Sequence, residues 1–157
     1  MAKPLPPVLV QRELLLADGQ PEVKNLEELV AFQRSGRRLL LVAEQPTRWR
    51  PTRKAVDHDL ALQQQLHQLI RRAGAELDGV VYLTTGLFAR KRARLQELEQ
   101  LAERYSTSVG ELSLIGRDAV LLESMVLSGG RALAVGEIKV SGATRYPSLR
   151  AALDALS

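Results

Sequence analysis

Three polar residues follow the first apolar run of this sequence, at a position where chemistry is expected. The run from Pro7 to Val10 reads as a short strand, and Gln11, Arg12 and Glu13 come directly after it. In an open α/β sheet, ligands bind in the crevice at the carboxyl ends of the strands. We therefore predict that these side chains lie at the edge of the sheet where a binding or catalytic site would form.

Two other predicted strands also end in polar residues. The apolar run 39–43 is followed by Glu44 and Gln45, and the run 112–116 is followed by Arg117. If these strands are neighbours of the first, Gln11, Glu13, Glu44 and Arg117 come together. Such a cluster could bind a polar ligand without a metal. The alternative is an inactive pocket in which Glu13 and Arg117 simply form a salt bridge.

Two arginine-rich stretches are predicted to lie at the same edge, because each follows a strand. A tryptophan among arginines can stack on a nucleic-acid base while the arginines bind phosphates. The stretches therefore predict an anion-binding rim, and the alternative is a solvated helix start together with one anchoring aromatic residue. The residues of this rim are Arg48, Trp49, Arg50, Arg53, Arg90, Arg92 and Arg94.

Other residues that could do chemistry have simpler interpretations. The triplet 57–59, Asp-His-Asp, reads as the N-terminal cap of a helix, because adjacent helical residues point in different directions and cannot share a metal. Ser124 and Ser128 have no histidine at a recognisable spacing. The sequence contains no cysteine, which excludes a thiolate nucleophile and a zinc-thiolate site. We expect no metal and no cofactor.

The elements that must position these residues alternate between strand and helix. Apolar runs of strand length lead into amphipathic helices, which predicts βαβ units. We expect an α/β fold with a three-layer, doubly wound, mostly parallel five-stranded sheet. Asn25 and Glu28 are predicted to form a capping box at the start of the first helix, and Ser148 to cap the last. The predicted strands are 7–10, 39–43, 79–83, 112–116 and 132–135.

Length and composition set the remaining expectations. The chain of 157 residues is predicted to form one domain, 1–157, with a single real core. No apolar run approaches the roughly 20 residues of a membrane span, and no secretory signal is recognisable, so we expect a cytoplasmic protein. The net charge is +4, with 17 arginines against 5 lysines. This basic balance is typical of proteins with anionic partners, and also of arginine-rich solvated surfaces.

With its elements in this order, the chain resembles the capless phosphatases of the haloacid dehalogenase (HAD) superfamily. Within it, the heptose bisphosphate and histidinol phosphate phosphatases are the most similar branch. The segment from Val8 to Glu13 resembles the first strand and its Asp-x-Asp motif, and that from Leu39 to Gln45 resembles the second strand with its Thr-Asn-Gln ending. The segments from Leu77 to Tyr82 and from Leu114 to Arg117 resemble the third and fourth strands. The resemblance implies a HAD-like Rossmannoid sheet without a cap domain.

The catalytic positions implied by this resemblance carry other residues. Gln11 replaces the nucleophilic aspartate, and an amide cannot form an aspartyl phosphate. Glu13 stands at the acid/base position, and Ala43 lacks the hydroxyl of the second-motif threonine. Arg117 replaces the magnesium-binding aspartate and would repel the ion. Lys91 falls on the position of the third-motif lysine.

Three functions are compatible with these residues. The first is a non-catalytic HAD-like domain, a pseudophosphatase, that binds a protein partner or a phosphorylated ligand at the strand-end rim. The second is a hydrolase with residual phosphatase activity that uses Glu13 and Lys91. The third is a nucleic-acid-binding module that uses the arginine-rich stretches. The sequence favours the first, because the phosphatase motif residues are replaced by Gln11, Ala43 and Arg117.

Overall fold

The structure is a computed structural model that describes residues 5–45, 53–75, 79–84 and 91–156. Within these ranges, residues 44–45, 55–56, 79–84 and 91–94 are described by their backbone alone. No helix in the described ranges combines the length and the hydropathy that crossing a membrane would need.

A six-stranded parallel sheet forms the centre of the molecule. Its strand order is β5-β4-β1-β6-β7-β8, so the chain starts in the middle and winds outward in both directions. A separate two-stranded hairpin, β2 and β3, follows β1. The strands are β1 Val8–Gln11, β2 Leu16–Ala17, β3 Gln20–Pro21, β4 Leu39–Gln45, β5 Gly79–Thr84, β6 Ser113–Gly116, β7 Arg131–Val135 and β8 Thr144–Tyr146.

Five helices cover the two faces of the sheet and give it two cores. One core packs α1, α2 and α5 against the sheet through residues such as Leu29, Leu66 and Leu153. The other packs α3 and α4 against the opposite face through residues such as Leu98 and Leu122. The helices are α1 Val23–Arg34, α2 Arg53–Arg72, α3 Lys91–Arg104, α4 Ala119–Leu127 and α5 Leu149–Ala155.

The continuous apolar runs form the central strands because both faces of a doubly wound sheet are covered by helices. The predicted three-layer α/β fold with a doubly wound parallel sheet is therefore confirmed. The apolar runs predict that Val10, Leu40, Val42, Val81, Ile115 and Leu133 are buried. All of them but Val81 are found to be no more than 1% exposed. The side chain of Val81 lies outside the described residues.

The segment after β1 is a 3₁₀ turn, Arg12–Leu15, followed by the β2–β3 hairpin. Asp18 and Gly19 occupy the tip of the hairpin with φ of 52° and 76°. Positive φ at both central residues is the signature of a two-residue type I′ turn, for which Asp-Gly is a preferred pair. The backbone N–H of Glu22 donates to the carbonyl of Leu15 at 2.8 Å, which returns the chain to the base of the hairpin.

Two details of the sequence prediction need correction. The sheet has a sixth strand, β8, which is only three residues long and pairs with β7. Helix α1 begins at Val23, so Asn25 is a helical residue and not its N-cap. The Asn25 amide instead donates to the carbonyl of Leu14 at 2.8 Å.

The predicted cap at Ser148 is confirmed, since its hydroxyl accepts a hydrogen bond from the Ala151 N–H at 3.1 Å.

Candidate functional site

The carboxyl edges of β4, β1 and β6 lie side by side, and they bring the predicted site residues together. Strand β1 lies between the other two, with Gln11 beside Val42 of β4 and Val10 beside Ile115 of β6. The residues that follow β1 and β6 therefore meet at one edge of the sheet. We call this surface the carboxyl edge; it includes the turn 12–15, the C-terminal end of β4 and the residues directly after β6.

Gln11 is buried at the centre of the carboxyl edge, with 2% of its surface exposed. Its side-chain oxygen Oε1 accepts hydrogen bonds from the backbone N–H groups of Arg117 at 2.8 Å and Asp118 at 3.1 Å. These amides lie where β6 leads into α4, and Asp118 caps that helix by accepting from the Leu121 N–H. The Gln11 amide therefore satisfies backbone donors that would otherwise be unpaired at a helix start.

Gly116, at the end of β6, leaves room for the side chain of Gln11. A Cβ atom at position 116 would lie 2.8 Å from Gln11 Oε1 and 3.5 Å from its Cβ. Contacts this short do not occur between a methyl carbon and an oxygen in a packed interior, so one of the two groups would have to move. The glycine thus permits the close approach that lets Gln11 bridge β1 and the β6–α4 loop.

Glu13 and Arg117 form an ion pair on the solvent side of Gln11. Arg117 Nε lies 3.8 Å from Glu13 Oε2, and its Nη2 donates to the Glu13 carbonyl at 3.3 Å. Their side chains are 61% and 50% exposed. The salt bridge between these residues, one of the two interpretations of the sequence, is therefore present.

Arg12 makes a second polar connection that the sequence did not reveal. Its Nη2 donates to Asp59 Oδ1 at 2.6 Å, and its Nη1 donates to Gln63 Oε1 at 3.1 Å. Asp59 lies inside α2, which begins at Arg53, so the interpretation of residues 57–59 as a helix cap is wrong. The sequence did contain one indication of this contact. Asp59 and Gln63 are four residues apart, a spacing that places both side chains on the same face of a helix.

The remaining predicted site residues are only partly described. Ala43 is buried at 2% exposure in β4, while Glu44 and Gln45 end that strand with undescribed side chains. Lys91 starts α3, and its side chain is also undescribed. Of the predicted rim, Arg53 is exposed at the start of α2, and Arg92 and Arg94 lie in the first turn of α3 with undescribed side chains. Arg48, Trp49, Arg50 and Arg90 lie outside the described residues.

Among the described side chains of the carboxyl edge, Gln11 and Glu13 are poorly placed to bind a magnesium ion. Magnesium prefers six oxygen ligands in near-ideal octahedral geometry, usually including carboxylates. Gln11 Oε1 is already bound by two N–H groups, and Glu13 is paired with a guanidinium. In the described part of the chain, no group of three or more His, Cys, Asp or Glu residues is placed to hold a metal.

Two surface grooves of the described residues, and the hydroxyls of Ser124 and Ser128, lie away from this edge. One groove, of about 520 Å³, lies between α1 and α5, and the other, of about 370 Å³, lies where the strands begin, near Arg38 and Thr107. Ser124 Oγ donates to the Val120 carbonyl and Ser128 Oγ to the Ser124 carbonyl. Both hydroxyls therefore serve their own helix.

The arrangement of strands and helices closely matches that of known phosphatases. D,D-heptose 1,7-bisphosphate phosphatase from B. bronchiseptica, solved with magnesium and phosphate, superposes with a TM-score of 0.74 at 13% identity, covering 96% of this chain and 97% of that one. The same enzyme from Burkholderia thailandensis gives 0.66 at 19% identity, covering 96% and 98%. A HAD-superfamily hydrolase from Geobacter sulfurreducens gives 0.54 at 14% identity, covering 85% and 55%.

The chain has the HAD-like phosphatase fold. The resemblance stated from the sequence is thus confirmed at the level of the fold, including the likeness to heptose bisphosphate phosphatases. No protein-family model and no curated protein matches the sequence. Within the described residues, the connections of this HAD-like fold hold no insertion large enough for a cap domain; the β2–β3 hairpin is the only extra sheet there.

Proposed function

We propose that this protein is a non-catalytic HAD-like domain, a pseudophosphatase, that binds a partner at its carboxyl edge. One observation carries the proposal: Gln11 Oε1 accepts hydrogen bonds from the backbone N–H groups of Arg117 and Asp118. Gln11 occupies the position that the HAD resemblance assigns to the nucleophile. An amide oxygen is a poor nucleophile, and this one is held by two donors within the fold.

Two neighbouring residues support the same proposal. A phosphatase of this kind needs a carboxylate to hold its metal, and Arg117 brings a cation to that position. The carboxylate of Glu13 is paired with this cation at 3.8 Å. We therefore infer that the carboxyl edge binds another molecule, either a protein partner or a phosphorylated ligand. A cytoplasmic location stays a prediction.

The decisive experiment measures phosphate release with and without magnesium. The substrates are p-nitrophenyl phosphate and D,D-heptose 1,7-bisphosphate, and the positive control is the B. bronchiseptica phosphatase assayed in parallel. We expect no magnesium-dependent release above background, because loss of a covalent nucleophile removes the main reaction path. Magnesium-dependent turnover that disappears in Glu13→Ala would instead establish the alternative, a hydrolase with residual activity.

A nucleic-acid-binding module is the second candidate, and the start of α2 favours it. Arg53 and Lys54 are exposed there, and the first turn contains no acidic residue. Binding through phosphate contacts weakens steeply with salt, because it releases counterions. A titration of single-stranded and duplex DNA at two salt concentrations tests it. Equal affinity for the wild type and a variant with Arg48, Arg50 and Arg53 changed to serine would exclude this candidate.

A further inference from the structure

The groove near Arg38 and Thr107 lies at the amino ends of the central strands, at the opposite end of the sheet from the carboxyl edge. Its walls come from the segment that leads into β1, the residue before β4, and the connection from α3 to β6. Its volume of about 370 Å³ is sufficient for a small organic molecule. We call it the amino groove, and its lining includes Arg38, Arg104, Tyr105, Ser106 and Glu111.

Two arginines bring positive charge to the amino groove. Arg38 donates from Nη2 and Nε to the carbonyl of Leu5 at 3.0 Å and 3.3 Å, which holds the side chain in place without neutralising it. Arg104 is exposed in the last turn of α3. Within the described part of the chain, neither guanidinium forms an ion pair with a carboxylate. Both charges are therefore open to an anion in the groove.

One acidic residue, Glu111, lines the same groove. Its carboxylate accepts a hydrogen bond from the Thr107 hydroxyl at 2.9 Å, which shows that it can serve as an acceptor for hydroxyl groups here. Just outside the lining, Glu103 and Arg131 are exposed and contribute one charge of each sign. The balance of the groove is therefore positive, with a single carboxylate beside two guanidiniums.

The end of α3 has an unusual residue in this groove. The Thr107 N–H donates to the Ala102 carbonyl at 3.0 Å, and the Ser106 N–H donates to the Glu103 carbonyl at 3.0 Å. These two bonds form a Schellman motif, and they place Ser106 at φ 55°, where glycine is usual. Serine is strained there, but it adds an exposed hydroxyl to the groove. Residues held in such conformations are concentrated at binding sites.

Tyr105 and Pro6 complete the groove with ring-shaped side chains. Both are partly buried, so each presents only part of its ring to solvent. An aromatic side chain can stack on a planar ring of a ligand. The helix dipole alone would account for Arg104 at the end of α3. It does not account for Arg38, which belongs to another connection, or for the serine at position 106.

We propose that the amino groove binds a small organic phosphate that carries a planar ring, of the nucleoside monophosphate class. A phosphate monoester carries close to two negative charges at pH 7, and guanidinium groups bind its oxygens through charge-assisted hydrogen bonds. The ring would stack on Tyr105, and Glu111 would accept hydrogen bonds from sugar hydroxyls. This site is separate from the carboxyl edge and independent of the proposed function.

The test is isothermal titration calorimetry of the full chain with adenosine 5′-monophosphate (AMP), and with adenosine and inorganic phosphate separately. We expect AMP to bind at least about tenfold more tightly than either half, and to bind more weakly as salt is raised. Arg104→Gln should weaken AMP binding about tenfold through the loss of a charge-assisted hydrogen bond. Arg145→Gln is the matched control, because it removes the same charge from an exposed position of β8, outside the groove.

Ser106→Gly separates a role in binding from a role in the fold. The variant loses the hydroxyl, but glycine adopts the left-handed conformation without strain. We therefore expect AMP to bind more weakly while the melting temperature stays equal to or above that of the wild type. Unchanged AMP affinity in both Ser106→Gly and Arg104→Gln would overturn the proposal.

Other outcomes would also overturn it. These are no binding of AMP at millimolar concentration, binding of inorganic phosphate as tight as that of AMP, or an equal loss of affinity in Arg104→Gln and Arg145→Gln. Loss of AMP binding in Arg117→Gln but not in Arg104→Gln would place the ligand at the carboxyl edge, and the amino groove would then have no part in it.

Discussion

Asp59 Oδ1 lies 2.6 Å from Nη2 of Arg12, and this ion pair joins the turn after β1 to the interior of α2 across 47 residues of sequence. The Arg12 side chain is 13% exposed and that of Asp59 is 31% exposed. Because the pair is partly sheltered from water and hydrogen bonded, it is expected to contribute more than an exposed pair would.

Replacing Asp59 by alanine should therefore destabilise the protein. The substitution leaves a sheltered guanidinium with Gln63 as its remaining side-chain partner, and we expect a loss of about 1.5–3 kcal/mol in the free energy of unfolding. Urea denaturation measures this difference. Asp57→Ala is the control, since Asp57 is exposed two residues away on the same helix. An equal effect of the two substitutions would mean that the ion pair contributes nothing.

Replacing Gln11 by leucine should also destabilise the protein, for a different reason. The leucine cannot accept hydrogen bonds, so the partly buried N–H groups of Arg117 and Asp118 would lose the side-chain oxygen that accepts from both of them. An unsatisfied buried donor costs about 1–3 kcal/mol. Gln68→Leu, at an exposed position of α2, is the matched control. If both variants unfold at the wild-type urea concentration, Gln11 does not hold the β6–α4 loop.

The Glu13–Arg117 pair, in contrast, should contribute little to stability. Both side chains are at least half exposed, and exposed ion pairs typically contribute between 0 and about 1 kcal/mol. A double-mutant cycle with Glu13→Ala and Arg117→Ala measures the coupling directly. A coupling energy above about 2 kcal/mol would show that the pair is more sheltered from solvent than its exposed fractions indicate.

Leu40→Ala tests the assignment of β4 as a central strand. Leu40 has no exposed surface, so its truncation removes buried methyl groups and leaves a cavity, at a cost of about 2–5 kcal/mol. Leu127→Ala, at an exposed position, should change the free energy of unfolding by less than about 0.5 kcal/mol. A loss below about 1 kcal/mol at position 40 would contradict the strand order.

The sequence allowed the central strands to be predicted because each is a continuous apolar run, which a sheet covered on both faces requires. Strand β8 was missed because Thr144–Tyr146 is too short and too polar to show such a run. The Arg12–Asp59 contact was missed because it depends on how α2 packs against the sheet. Asn25 was misassigned because its amide is used by Leu14, a residue that approaches it only after the turn has formed.

The contact between Gln11 and Gly116 restricts the order in which these two positions can change during evolution. While the glutamine oxygen at position 11 keeps its present place, a Cβ at position 116 would lie 2.8 Å from it, so a larger residue there would displace Gln11 and disturb its two hydrogen bonds. A shorter residue at position 11 would place no oxygen at this point. A side chain at position 116 would then fit without displacing residue 11. Homologous sequences should therefore show glutamine at position 11 only together with glycine at position 116, while glycine at 116 should also accompany other residues at 11.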